Sequence, residues 1–144
     1  MTQTTLENAS TPGTGTEKLV YFFGDGGAEG TGTMKDVLGG KGAGLHEMTN
    51  IGVPVPPGFT IVTGVCRWYH EHGRTLPPSF EAQQRQALDA HVREIVGWHF
   101  SPETGCPFWL EWADRAGWNP VTEIQSYADM VKFPHFQDEW LRDE

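Results

Sequence analysis

The 144-residue chain reads as a mixed α/β protein, rich in helix, on three observations. Two short runs of β-branched and aromatic residues, Leu19 to Phe23 and Phe59 to Val62, have the length and flanking turn residues of strands. Several longer stretches place apolar residues three and four apart, as one face of a helix requires. Clusters of glycine and proline separate these stretches and mark the turns.

Residues 1–16 are rich in Thr, Gly, Ser and Asn and hold one sizeable apolar side chain, Leu6, so a disordered tail is expected there. The first strand follows at Leu19 to Phe23. The five glycines between Gly24 and Gly32 exceed what a helix or a strand interior tolerates and predict a loop, either flexible or closely approached by another group. Leu38, Leu45 and Met48 then recur at helical spacing, behind a glycine loop at Gly39 to Gly42 and ahead of a stop at Gly52. Pro54, Pro56 and Pro57 impose an extended path into the second strand.

Thr63 is placed to cap a helix from about Val65 to His72, with Val65, Trp68, Tyr69 and His72 on a packing face and Gly73 as its end. Ser79 is placed to cap a longer helix with an apolar stripe of Leu88, Val92, Ile95 and Val96. Arg85, Asp89, Arg93 and Glu94 face water in that reading, and Gly97 closes the helix. Beyond it the sequence turns densely aromatic. Pro107 and Gly117 bracket a short helix that buries indoles, and Ser126 with Asp129 starts another that ends before Pro134. The predicted organisation is a tail over 1–16, a segment over 17–74, a linking helix over 75–97 and a Trp-rich helical segment over 98–144.

Composition narrows the function classes. A formal net charge of -9 gives no electrostatic reason to bind nucleic acid or an anionic membrane, both of which demand excess Lys and Arg. A small anion is still accommodated, because one lysine and a few aimed amides act locally. The two cysteines, Cys66 and Cys106, stand far apart with no neighbouring ligand cluster, so neither a disulfide framework nor a metal site is predicted. No basic region precedes an apolar run at the N-terminus and no apolar stretch is long enough to span a bilayer, so a cytoplasmic location is expected.

The stretch most suited to chemistry is Gly39-Gly40-Lys41-Gly42. Bare glycines let a backbone approach an anion, a helix N-terminus supplies N–H groups and partial positive charge, and Lys41 adds a full charge. The spacing departs from the GxxxxGK[ST] phosphate loop, since neither Ser nor Thr follows the lysine. On spacing alone, a glycine turn with a solvated lysine accounts for the same residues.

A larger pattern surrounds it. Tyr21 to Gly26, Ala28-Glu29-Gly30, Met34-Lys35-Asp36, Leu38 to Ala43, Leu45, Glu47-Met48, Ile51-Gly52 and Val55 to Ile61 occur in one order. Together they resemble the opening of the pyruvate, phosphate dikinase family, over about residues 18–73. The resemblance implies a partial ATP-grasp nucleotide-binding domain that takes ATP with Mg2+, with Lys41 at the nucleotide phosphates beside Gly39, Gly40 and Gly42. It implies a kinase-type phosphotransferase that forms phosphoenolpyruvate through a phosphohistidine. The histidine-bearing and pyruvate-binding domains, and the arginine and acidic metal ligands that clamp the phosphates, have no counterpart in these residues. No catalytic residue is nominated: His46, His70, His72, His91, His99 and His135 all lack the context of the family's phosphorylated histidine. The expectation is an ATP-binding segment that does not turn over alone.

From about Ile95 the sequence is similar, more weakly, to the helical lead-in of phenylacetate-CoA ligase-type adenylate-forming enzymes, through His99 to Pro102, Pro107 to Trp109, Ala116 to Pro120, Ile124, Ser126, Asp129, Phe133-Pro134 and Glu139. That resemblance carries no ligase site. The alternative to a nucleotide-binding segment is therefore a non-enzymatic interaction module, or a remnant joining two ATP-using enzymes, with the Trp-rich segment as its protein-binding face.

Overall fold

A short strand can be covered on both faces only if its two side-chain rows meet separate helices, and this arrangement organises the molecule. The computed structural model describes residues 15–24, 26–135, 137 and 139; the tail expected over 1–16 lies, up to residue 14, outside them. Strand β1, Val20–Gly24, is central, with β2, Gly27–Ala28, and β3, Gly58–Ile61, antiparallel on either side. Val20 pairs with Ile61 and Phe23 with Gly58. Tyr21 and Phe23 send their rings to one face, where they meet the His46 imidazole edge-on at 6.4 and 5.1 Å between centroids. Val20 and Phe22 look the other way, towards Gln86, Ala87 and Ala90.

The first face is covered by helix α1, Lys35–Asn50, and the second by helix α3, Phe80–Phe100, while α2, Thr63–Glu71, packs against α1. Leu19, Val20, Leu38, Ala43, Val62, Val65, Phe80 and Ala87 form the core of this unit. Gln83 fastens strand to helix at the open end, its Oε1 accepting from Leu19 N at 2.7 Å and its Nε2 donating to the Glu17 carbonyl at 2.8 Å.

The rest of the described residues gather on the second half of α3. Helix α4, Pro107–Ala116, the one-turn α5, Pro120–Glu123, and a 3-10 turn at Tyr127–Lys132 surround a smaller core of Val92, Val96 and Ile124, backed by Phe100, Trp118 and Phe133. A single helix thus contributes Phe80 and Ala87 to one core and Val92 and Val96 to the other. Pro107 opens α4 and Gly117, at φ 74°, closes it in the left-handed conformation, as the sequence predicts. The Ser126 and Asp129 capping box is formed, and three hydrogen bonds from Ser126 and Gln125, with Lys132 nearby, hold the Asp129 carboxyl down at about 2.

Several expectations need correction. The loop over Gly24 to Gly32 includes the strand β2, because the turn after Gly24 folds the backbone back on β1. Helix α1 buries Leu38, Gly42, Ala43, His46 and Thr49 in place of Leu45 and Met48, since its sequence-adjacent turns are not in one helical phase. Neither Thr63 nor Ser79 caps its helix: the Thr63 hydroxyl donates to the Asp36 carbonyl at 2.7 Å, and the Ser79 hydroxyl donates to Glu17 at 3.2 Å. Helix α3 continues through Gly97 to Phe100, because aromatic packing on α4 outweighs the propensity cost of a single glycine. Asp89 and Arg93 do not simply face water; Asp89 accepts from Tyr127 N and Arg93 donates to the Gln125 carbonyl, both at 2.8 Å. On α2 only Val65 is buried, while Trp68 stacks on the exposed His72 with ring planes 3° apart. No residue of α4 is fully buried, so its indoles pack laterally against one another.

Candidate functional site

Helix α1 is two helices joined at one residue. Gly39 has φ 71° and ψ 165°, a combination that belongs to glycine, and the helix restarts at Gly40. The loop-then-helix order expected around Gly39 is therefore a single-residue break, with Gly40, Lys41 and Gly42 already in the first turn of the restarted helix. Amides in such a turn lack a carbonyl one turn back in helical register. The break is held from outside, because Thr63 at the start of α2 binds the Asp36 carbonyl just ahead of it.

The three glycines answer to different demands. Gly39 is required by its dihedrals. Gly40 is exposed, and a side chain there would meet nothing within 4 Å. Gly42 is buried, and a Cβ there would lie 2.7 Å from the Thr60 methyl, so its want of a side chain lets α1 approach β3. Lys41 is exposed and, among the described residues, has no carboxylate within ion-pair range.

Downstream in the same helix, three side chains that sequence reasoning left unassigned organise the neighbouring glycine loop. His46 Nδ1 accepts from Gly30 N at 3.1 Å, Glu47 accepts from Gly32 N at 3.0 Å, and Asn50 both accepts from Ala28 N and donates to the Gly30 carbonyl. The loop between Gly24 and Gly32 is thus approached closely, as one of the two expectations had it, and the approaching group is α1 itself. The i, i+1, i+4 spacing of three polar side chains near a helix end was the available signal.

His46 is wholly buried, with its Nε2 3.3 Å from the Thr60 hydroxyl. Because Nδ1 accepts an amide hydrogen, Nε2 carries the proton and donates to Thr60. Burial pushes its pKa below the ordinary value, with Glu29 opposing that shift and Lys18 reinforcing it. Both cysteines are free and exposed. Among the described residues no three His, Cys, Asp or Glu side chains group as metal ligands, and no helix is long and apolar enough to cross a membrane.

Comparison with known proteins bears on this region. The family described as "Pyruvate phosphate dikinase, AMP/ATP-binding domain" matches residues 35–103, from the start of α1 to just past the end of α3. Pyruvate, phosphate dikinase of Rickettsia typhi is 46% identical over 93 residues, which is 65% of this chain and 10% of that protein. The Rhizobium meliloti enzyme is 50% identical over 80 residues, 56% of this chain and 9% of the relative. The chloroplastic enzyme of Flaveria trinervia is 44% identical over 90 residues, 62% of this chain and 9% of the relative. The chain spans about a tenth of the length of these curated relatives. The aromatic segment beyond residue 103 falls outside the family match. Over residues 35–103, which carry the Gly39 break and Lys41, the chain is similar to the pyruvate phosphate dikinase AMP/ATP-binding domain.

Proposed function

We propose that this chain binds the phosphate end of ATP at the restart of α1, as one part of an ATP-grasp nucleotide domain. The observation that carries the reading is the break at Gly39, which puts a fresh helix start, an open Gly40 backbone and an exposed Lys41, without an ion-pair partner among the described residues, within one turn. A helix start favours anions through its amides and its dipole, and an unpaired ammonium adds a charge-assisted contact. Gly39 supplies the break, Gly40 leaves room for an approaching phosphate, and Gly42 seats the turn against β3.

The residues fit ATP better than they fit a protein-held metal. Mg2+ would ride on the nucleotide phosphates here, because the described side chains offer it no cluster of ligands. Lys41 gives one charge where phosphoryl transfer needs several aimed at the migrating group, so the segment binds without turnover. The dikinase reaction of the relatives belongs to a longer assembly of parts.

Calorimetry with ATP and Mg2+ tests the reading. Weak, saturable heat is expected, with Lys41→Ala weakening affinity about tenfold, the size of one charge-assisted hydrogen bond. Absence of heat at millimolar nucleotide, or equal binding by Lys41→Ala, refutes it.

A further inference from the structure

The second half of α3, α4 and the 3-10 turn border an open-mouthed hollow of about 250 Å3. Ile95, Phe100, Trp109, Trp112, Met130 and Phe133 make most of its wall, and among the described residues His99 is the only titratable side chain that lines it. The rings are already mutually engaged: Phe100 lies 5.6 Å from Trp109 and 5.9 Å from both Trp112 and Phe133.

We propose that this hollow is a binding site for a neutral, flat, bicyclic aromatic molecule of the indole class. Four considerations select that ligand. A charged ligand would lose hydration without meeting a counter-charge, and a chain of net charge -9 disfavours an anion further. The wall offers water too few polar partners to hold it in place. The volume suits one small ring system and is below the range of drug-sized pockets, so a helix of a partner protein does not fit inside. Walls built from ring faces and edges reward an aromatic guest through offset and edge-to-face contacts that an aliphatic guest does not make. This inference does not rest on nucleotide binding and involves none of the residues proposed for it.

Indole itself, with indole-3-acetate as the charged counterpart, serves as the probe against the full chain. The readout is the side-chain N–H resonances of Trp109 and Trp112 in nitrogen–proton spectra. Saturable shifts of these two signals are expected, with Kd of about millimolar or tighter, and indole-3-acetate should bind at least about tenfold more weakly. Ile95→Phe, which fills the hollow, and Met130→Trp, which narrows it from a residue 39% exposed, should each weaken indole binding by a similar factor. The second variant decides the matter if the first fails to fold. The proposal is overturned by no saturable shift at the solubility limit of indole, by equal affinity for the acid, or by binding that neither variant changes. It is also overturned if indole binds only after removal of residues 136–144, or only on dilution of a self-associated chain; the hollow would then belong to the chain's own end or to a second copy.

Discussion

Alanine placed at two glycines of the same helix should act in opposite directions. Gly42 and Gly44 both lie in the restarted part of α1, and in a solvated helix either replacement would stabilise by about 0.5–1 kcal/mol through lost backbone entropy in the unfolded chain. At Gly44 a Cβ meets nothing within 4 Å, so that gain should be realised in full. At Gly42 the new methyl would sit 2.7 Å from Thr60 Cγ2 and 3.2 Å from its Oγ1. Thr60 cannot simply rotate away, since it is β-branched, held in β3, and its hydroxyl receives the His46 Nε2 proton. Overpacking of this kind costs about 1–3 kcal/mol, and a poorly yielding neighbour puts it in the upper half of that range. Subtracting the entropic gain leaves Gly42→Ala less stable than the parent by about 1–2 kcal/mol. Urea titration of the parent and both variants, with parallel slopes, measures the difference directly. A Gly42→Ala variant as stable as the parent would refute the packing argument, as would a Gly44→Ala variant that is less stable.

Stability should also fall with pH in a way traceable to His46. Its folded pKa lies below the ordinary value, so its contribution is intact above about 6.5 and is lost as pH falls from there through the folded value. The urea midpoint of the parent should drop between about pH 7 and pH 5 by more than that of His46→Gln, and equal slopes would refute the assignment. Gln83→Ala removes both bonds at the head of β1, leaving the buried Leu19 amide without its acceptor, and should cost about 1–3 kcal/mol in the same titration. A loss of about 0.5 kcal/mol or less would mean that water replaces the glutamine. Lys41→Ala should leave the urea midpoint unchanged, because the side chain is exposed and has no ion-pair partner among the described residues, while weakening ATP binding.

Local signals were read correctly where the deciding residues lie within one turn of each other. Pro107 and Gly117 bound α4 because each sets its own φ, and the Ser126 and Asp129 box forms because both partners sit four residues apart or fewer. The two longer strands were legible for the same reason, the bulky run of β1 ending at Gly24 and that of β3 beginning after Gly58. Signals failed where a distant partner outbid the local one. The Thr63 and Ser79 hydroxyls found carbonyl and carboxylate acceptors from other segments, and no local rule names Asp36 or Glu17. Trp68 looked like a core residue by spacing, yet spacing does not say whether anything lies opposite the helix face. For the candidate site, Gly39, Gly40, Lys41 and Gly42 were legible as a group, but their separate demands were not. Only coordinates distinguish a glycine needed for its dihedrals from one needed for the distance to Thr60.

In the proposed phosphate site, the interruption at Gly39 sets rigidity and ligand capture in competition for the same protons. An unbroken rod from Lys35 would direct the amide hydrogens of Gly40, Lys41 and Gly42 at the carbonyls of the turn before, away from an approaching anion. Any substitution that straightened the rod would firm up the helix and silence its head together. Evolution of a sturdier version is therefore constrained at this one dihedral pair, and sturdiness would have to be gained elsewhere, as at Gly44.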